Sequence, residues 1–182
     1  MTDYHASITW QRDGAKFTDN RYRRLHTWTF DEGLDVPASA SPHSVPLPYS
    51  EARAVDPEEA LVAAVSSCHM LWFLSIDAKR GFVVERYADT PVGTLGTNAN
   101  GKESITVVTL RPDVTFGGEK HPSLADIDAI HHEAHEVCCL ANSVTAEVRV
   151  ESIPRQGTYV PTAAARLRDD GARRLAARCR RG

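Results

Sequence analysis

The absences in this sequence narrow its function first. There is no CxxC pair: the four cysteines stand at 68, 138, 139 and 179, which disfavours a zinc ribbon or a thioredoxin-type redox motif. MTDYHASITW has no basic-then-apolar leader layout, and no uninterrupted apolar run approaches the roughly 18 residues of a membrane span. Neither charge sign dominates. A formal net charge of −3 gives no global electrostatic ground for nucleic acid or an anionic membrane as partner. No GxSxG elbow, phosphate-binding glycine loop or internal repeat is present. These absences lead to the expectation of a cytoplasmic chain with reduced thiols, no bound cofactor, no nucleic acid and no membrane.

With 182 residues, 42% of them hydrophobic, the chain can bury a core without a disulfide staple. The first third reads as a β-meander: SITW, RLHTWTF and GLDVP carry alternating or aromatic and β-branched positions, broken by turns at Asp13-Gly14 and Glu32-Gly33. Pro42, Pro46, Pro48 and Pro57 with several serines then exclude regular structure over a loop. After it, Asp56 fits an N-cap, Pro57 the first helical position, and Glu58 and Glu59 the positive end of a helix dipole. Leu61, Ala64, Val65, Cys68, Leu71, Trp72 and Ile76 recur at helical spacing up to the stop at Lys79-Arg80-Gly81, predicting a long buried helix with Cys68 on its apolar face.

Strands are expected in FVVERYAD and SITVVTLRPDVTF, around a turn-rich TLGTNANGKE. A second helix is expected over Leu124–Leu140, capped by Ser123, with Leu124, Ile127, Ile130, Ala134, Val137 and Cys138 inward. SVTAEVRVESI closes the domain as a strand, giving a domain of residues 1–153. Residues 154–182 read as an Ala/Arg-rich solvated tail, with Cys179 an incidental thiol.

Two segments, DPEEALVAAVSSC and AHEVCCLANS, together resemble the OsmC and organic hydroperoxide resistance family. In that family the first helix begins near a Pro-Glu pair and carries a cysteine eleven residues after the proline, as Cys68 follows Pro57. The second helix carries a cysteine shortly after an Ala-His pair, as Cys138 follows Ala134-His135. The resemblance covers about Tyr4 to Ile153 and implies an α+β fold, with antiparallel sheets wrapped around two central helices in an interwoven homodimer. It also implies a thiol-dependent peroxidase that reduces organic hydroperoxides, an OsmC-like peroxiredoxin.

The resemblance assigns the parts of such an enzyme. Cys68 would attack the peroxide as a thiolate and become a sulfenic acid. Its apolar helix face raises a thiol pKa, so a cation must offset the burial. The family supplies an arginine from the N-terminal strands, here Arg24, with Arg21 and Arg23 as alternatives, held by the carboxylate of the Pro-Glu pair, Glu58. Cys138 would resolve the sulfenic acid into a disulfide, which an external dithiol reduces. After that cysteine the family commonly has Pro-x-Ser, whereas this chain has Cys139-Leu140-Ala141, which keeps Cys139 open as the resolving thiol. On a continuous helix, Cys139 would lie about 100° from Cys138 and face elsewhere.

Two other readings compete. IHHEAHEVCC places His131, His135 and Cys138 on one helical stripe that could hold zinc with Cys68, although the segment is not HExxH. Alternatively the fold is a noncatalytic small-ligand-binding or thiol-sensor module, with Trp28, Tyr49, Trp72 and Phe73 around a cavity. His69, one residue from Cys68, is expected to be a capped or surface histidine with no role.

Overall fold

The computed structural model describes residues 1–151, so the expected tail and Cys179 lie outside the described residues. The chain divides into two compact units, Met1–Ala63 and a second beginning at Ala64. In the first unit, β1 (Ala6–Thr9), β2 (His26–Phe30) and β3 (Asp35–Ala38) form the expected antiparallel meander in the order β1-β2-β3. Ile8 lies opposite Trp28, and Trp28 opposite Val36. A short 3-10 turn, Asp31–Gly33, joins β2 to β3; both Glu32 (φ 58°) and Gly33 (φ 79°) are left-handed there, the conformation that glycine adopts without steric cost. The proline-rich segment after β3 has no helix or strand, yet it is tied down. Ser39 N–H donates to the Val55 carbonyl (3.0 Å), and Glu51 N–H to Ser39 Oγ (3.0 Å).

The first helix, α1, runs Pro57–Arg80. Its start is the one expected: the buried Asp56 accepts the Glu59 N–H on Oδ1 at 2.7 Å, satisfying an otherwise unpaired helix donor. By length and composition α1 could cross a membrane, with mean hydropathy 1.5 over 18 residues, although its apolar runs are interrupted.

In the second unit, α1 is followed by β4 (Val83–Ala88), β5 (Val92–Thr97), β6 (Glu103–Leu110), β7 (Asp113–Gly117), α2 (Leu124–Val137) and β8 (Glu147–Val150). β4 pairs antiparallel with β7, and β5-β6-β8 form a second sheet. The β6–β8 pair is parallel, a departure from the all-antiparallel expectation that leaves the α+β class unchanged. Half of the segment expected to be turn-rich is strand. β5 continues to Thr97, and the turn is confined to a few residues in which Asn98 Oδ1 accepts the N–H groups of Asn100 and Lys102. SITVVTLRPDVTF is two strands, β6 and β7, divided at Arg111-Pro112 because proline has no N–H for a ladder.

The core of this unit joins Phe73 and Ile76 of α1, Phe82, and Ile130 and Ala134 of α2, with Val84, Tyr87, Val114 and Phe116 of the β4–β7 ribbon packed against it. The buried face of α1 therefore differs from the expected one. Val65 and Ile76 are inside, but Leu71 (62% exposed) and Trp72 (38%) lie on the surface, while Ser66, His69, Phe73 and Asp77 are buried. Apolarity alone favoured the Leu71–Trp72 stripe; the sheet and α2 cover the stripe carrying His69, Phe73 and Asp77, roughly one residue's rotation away.

Candidate active site

Cys68 sits midway along α1, half-buried. Opposite it is the end of α2, which stops three residues earlier than expected. Ser123 opens α2 with a capping box, its hydroxyl accepting the Asp126 N–H while the Asp126 carboxylate accepts the Ser123 N–H. At the other end, Cys138 leaves helical geometry (φ −70°, ψ 106°), its N–H bonding back to His135 O at 3.3 Å. The Asn142 side chain then donates to the free carbonyls of Glu136 (3.0 Å) and Cys138 (3.1 Å), closing the helix end.

This early stop decides where the two neighbouring thiols point. Cys138 is fully buried, and its Sγ accepts the Ala141 N–H at 3.4 Å. Cys139 is exposed, and its Sγ lies 4.0 Å from Cys68 Sγ. The expectation that Cys139 faces away is thus corrected: residue 139 is not on a helix, so the helical angle between neighbours does not apply. Three free thiols converge, Cys68 touching both members of the adjacent pair. Burial pushes the Cys68 thiol up, as does its hydrogen bond with Cys138 and that thiol's charge when ionised; the Leu140 backbone N–H and the Cys139 thiol pull it down. The upward effects prevail, leaving a thiol that needs further electrostatic help to ionise near neutral pH.

The next turn of α1 holds a feature the sequence reading missed. His69, expected at the surface, is 1% exposed, and one of its ring nitrogens, Nε2, shares a hydrogen bond with His131 Nδ1 at 3.0 Å. The rings stack at 5.3 Å, and Phe73 lies 4.4 Å from the His131 ring. Burial and, for His69, the nearby His135 lower its pKa to about 4 against the opposing pull of Asp89; burial and His69 lower His131 to about 4. Both rings are neutral at neutral pH. The Nδ1 atom of His131 is taken up by His69, and among the described residues no group of three or more His, Cys, Asp or Glu side chains could hold a metal ion, so the stripe proposed for zinc does not assemble there. The signal was legible in one respect: Ser66, His69 and Asp77 are polar residues recurring at helical spacing within an apolar helix. Ser66 donates to Asp89 Oδ2 at 2.5 Å, and Asp89 Oδ1 accepts the Arg111 N–H at 2.6 Å, tying α1 to the β6–β7 corner.

The two remaining candidates lie in the first unit. Arg24 donates to the Asn20 carbonyl (2.9 Å), to Asn20 Oδ1 (2.7 Å) and to the Tyr22 carbonyl, with its guanidinium 4.0 Å over the Tyr22 ring. Arg23 pairs with Glu51 at 3.4 Å. Glu58 is exposed on the first turn of α1, and among the described residues no ion pair joins it to an arginine.

Fold and thiols together define a class: an α+β protein in which a half-buried cysteine on one helix meets thiols at the end of a second. The chain belongs to the OsmC-like protein family, whose model matches residues 50–152. An OsmC-like protein of unknown function from Vibrio cholerae is 55% identical, with a TM-score of 0.83 over 84% of this chain and 100% of that one. Two organic hydroperoxide resistance proteins share the fold. That of Legionella pneumophila is 18% identical, with a TM-score of 0.59 over 84% of this chain and 96% of its own. That of Bacillus subtilis is 17% identical, with a TM-score of 0.56 over 82% of this chain and 98% of its own. No curated protein matches the chain significantly.

Proposed function

We propose that this protein is a thiol-dependent peroxidase that reduces organic hydroperoxides, with Cys68 as the attacking thiolate. The observation that carries the reading is the meeting of Cys68 with two further free thiols, one of them at 4.0 Å, at the end of α2. Attack of the Cys68 thiolate on a peroxide oxygen releases the alcohol and leaves a sulfenic acid; a neighbouring thiol displaces water from it to form a disulfide, and an external dithiol restores the reduced protein. Family resemblance points to Cys138 as the resolving thiol, and Cys139 is the alternative. The shared fold of the organic hydroperoxide resistance proteins of Legionella pneumophila and Bacillus subtilis supports the substrate class.

A raised thiol needs a cation. Arg24, exchanging its bonds to Asn20 and Tyr22 for paired hydrogen bonds to Glu58, fills this role in the proposal. A homodimer is part of the same reading, which the exposed apolar side chains of Leu71 and Trp72 on α1 support. The chain is placed in the cytoplasm, where thiols stay reduced.

Steady-state consumption of an organic hydroperoxide with an external dithiol tests the function. Wild-type protein turns over, and Cys68→Ser abolishes turnover. Sustained turnover by Cys68→Ser rejects Cys68 as the attacking thiol; no turnover by reduced wild type favours a noncatalytic thiol module.

A further inference from the structure

We propose that Cys139, rather than Cys138, is the thiol that closes the first disulfide on Cys68 and presents it to the reductant. The inference rests on the peroxidase reading and specifies its second step.

Three observations favour Cys139, the last two of which separate it from Cys138. The first is reach: Cys68 touches both thiols, and Cys139 Sγ is 4.0 Å from Cys68 Sγ, a contact that must shorten by about 2 Å to become a disulfide bond. The second is freedom. Cys138 forms the end of α2, its N–H bonded to His135 O, its carbonyl accepting from Asn142 N–H (3.1 Å) and Asn142 Nδ2 (3.1 Å), and its sulfur held by the Ala141 N–H. Moving that sulfur disturbs the helix end. Cys139 has its carbonyl anchored by the Ser143 hydroxyl at 2.7 Å, while its side chain projects to the surface.

The third is access. Thiol–disulfide exchange requires an incoming thiolate to approach one sulfur along the S–S axis, opposite the leaving sulfur. A Cys68–Cys138 disulfide would join a half-buried sulfur to one with no exposed surface. A Cys68–Cys139 disulfide has an exposed sulfur for a dithiol to attack.

The step balances. The Cys139 thiolate attacks the sulfenic sulfur of Cys68, the S–O bond breaks, and hydroxide leaves as water with the proton that Cys139 gave up. The two electrons taken by the hydroperoxide have then come from Cys68 and Cys139. An external dithiol attacks Cys139, releases the Cys68 thiolate and leaves as its own disulfide. Cys138 is a positioning residue: its backbone bonds to His135 and Asn142 hold the turn that aims Cys139.

The test uses the full chain, fully reduced, with one equivalent of an organic hydroperoxide. Disulfides are mapped by mass spectrometry with fragmentation between residues 138 and 139, in wild type, Cys138→Ser, Cys139→Ser and the double variant. The expected result is a Cys68–Cys139 link in wild type and in Cys138→Ser. Cys139→Ser should accumulate a trappable Cys68 sulfenic acid, with dithiol-dependent turnover down roughly 100-fold, the loss expected when a positioned thiol is removed. Disulfide formation in Cys139→Ser at the wild-type rate, or a wild-type link at Cys138, overturns the assignment while leaving the peroxidase intact. The double variant keeps the two questions apart: a trapped sulfenic acid at Cys68 supports the peroxidase whichever thiol resolves, and an unmodified Cys68 there and in wild type overturns both. Near-ultraviolet circular dichroism shows whether a variant has lost its fold.

Discussion

Replacing Asp77 by asparagine should stabilise this protein, increasingly so as the pH rises. Asp77 is fully buried on α1, and neither carboxylate oxygen has a hydrogen-bond partner. Burial raises its pKa from 3.8 to about 7, with Arg80 pulling the other way. Between those two values the folded protein holds a proton that the unfolded chain has released, so raising the pH favours unfolding across this window. The cost is below ~1 kcal/mol at pH 4 and reaches about 4 kcal/mol at pH 8, where both states are ionised. Asparagine keeps the shape and removes the titration, and whatever its buried amide costs is the same at every pH. Urea denaturation of wild type and Asp77→Asn at a fixed protein concentration, followed by tryptophan fluorescence from pH 4 to 8, isolates the effect. The stability difference between the two should shift by about 4 kcal/mol in favour of the variant over that range. A difference that stays flat with pH would refute the argument, because it would mean that Asp77 titrates alike in both states.

The histidine pair acts with the opposite sign: His69 and His131 are neutral in the fold down to about pH 4, while the unfolded chain protonates near 6.5, so their contribution is lost as the pH falls through this window. In the Asp77→Asn background, stability should therefore fall steadily from pH 7 to 4, and a level profile would contradict a buried neutral pair. Phe73→Ala removes a fully buried ring between the sheet and α2 and should cost about 3–5 kcal/mol in the same urea assay. Ser123→Ala breaks the capping box of α2 and should cost about 1 kcal/mol without changing thiol oxidation; a loss of disulfide formation would show that the far end of α2 controls the site. Glu58→Gln should slow hydroperoxide reduction while leaving all thiols titratable, and an unchanged rate across the pH range would remove Glu58 from the proposed machinery.

Much of the fold was legible because its signals are local. Asp56-Pro57-Glu58-Glu59 encodes a helix start within four residues, and the capping box at Ser123 and Asp126 does the same for α2. Alternation marked the meander and the later strands, and the spacing of Cys68 and Cys138 from their flanking motifs pointed to the family to which the chain belongs. The illegible parts depend on contacts between distant segments. Whether β8 runs parallel to β6 depends on the path of the chain through α2, which periodicity within β8 does not carry.

The sequence by itself determined where the helices begin, which segments form strands, and that Cys68 lies on a helix, because capping, turn chemistry and residue period act within a few positions. Tertiary structure alone decided which stripe of α1 is buried. The sheet and α2 cover His69, Phe73 and Asp77 instead of the more apolar Leu71 and Trp72. It also decided that α2 ends at Val137, because Asn142 folds back onto the last carbonyls and supplies the bonds another turn would have made. That single termination turns Cys139 from a residue facing away on a helix into a thiol 4.0 Å from Cys68.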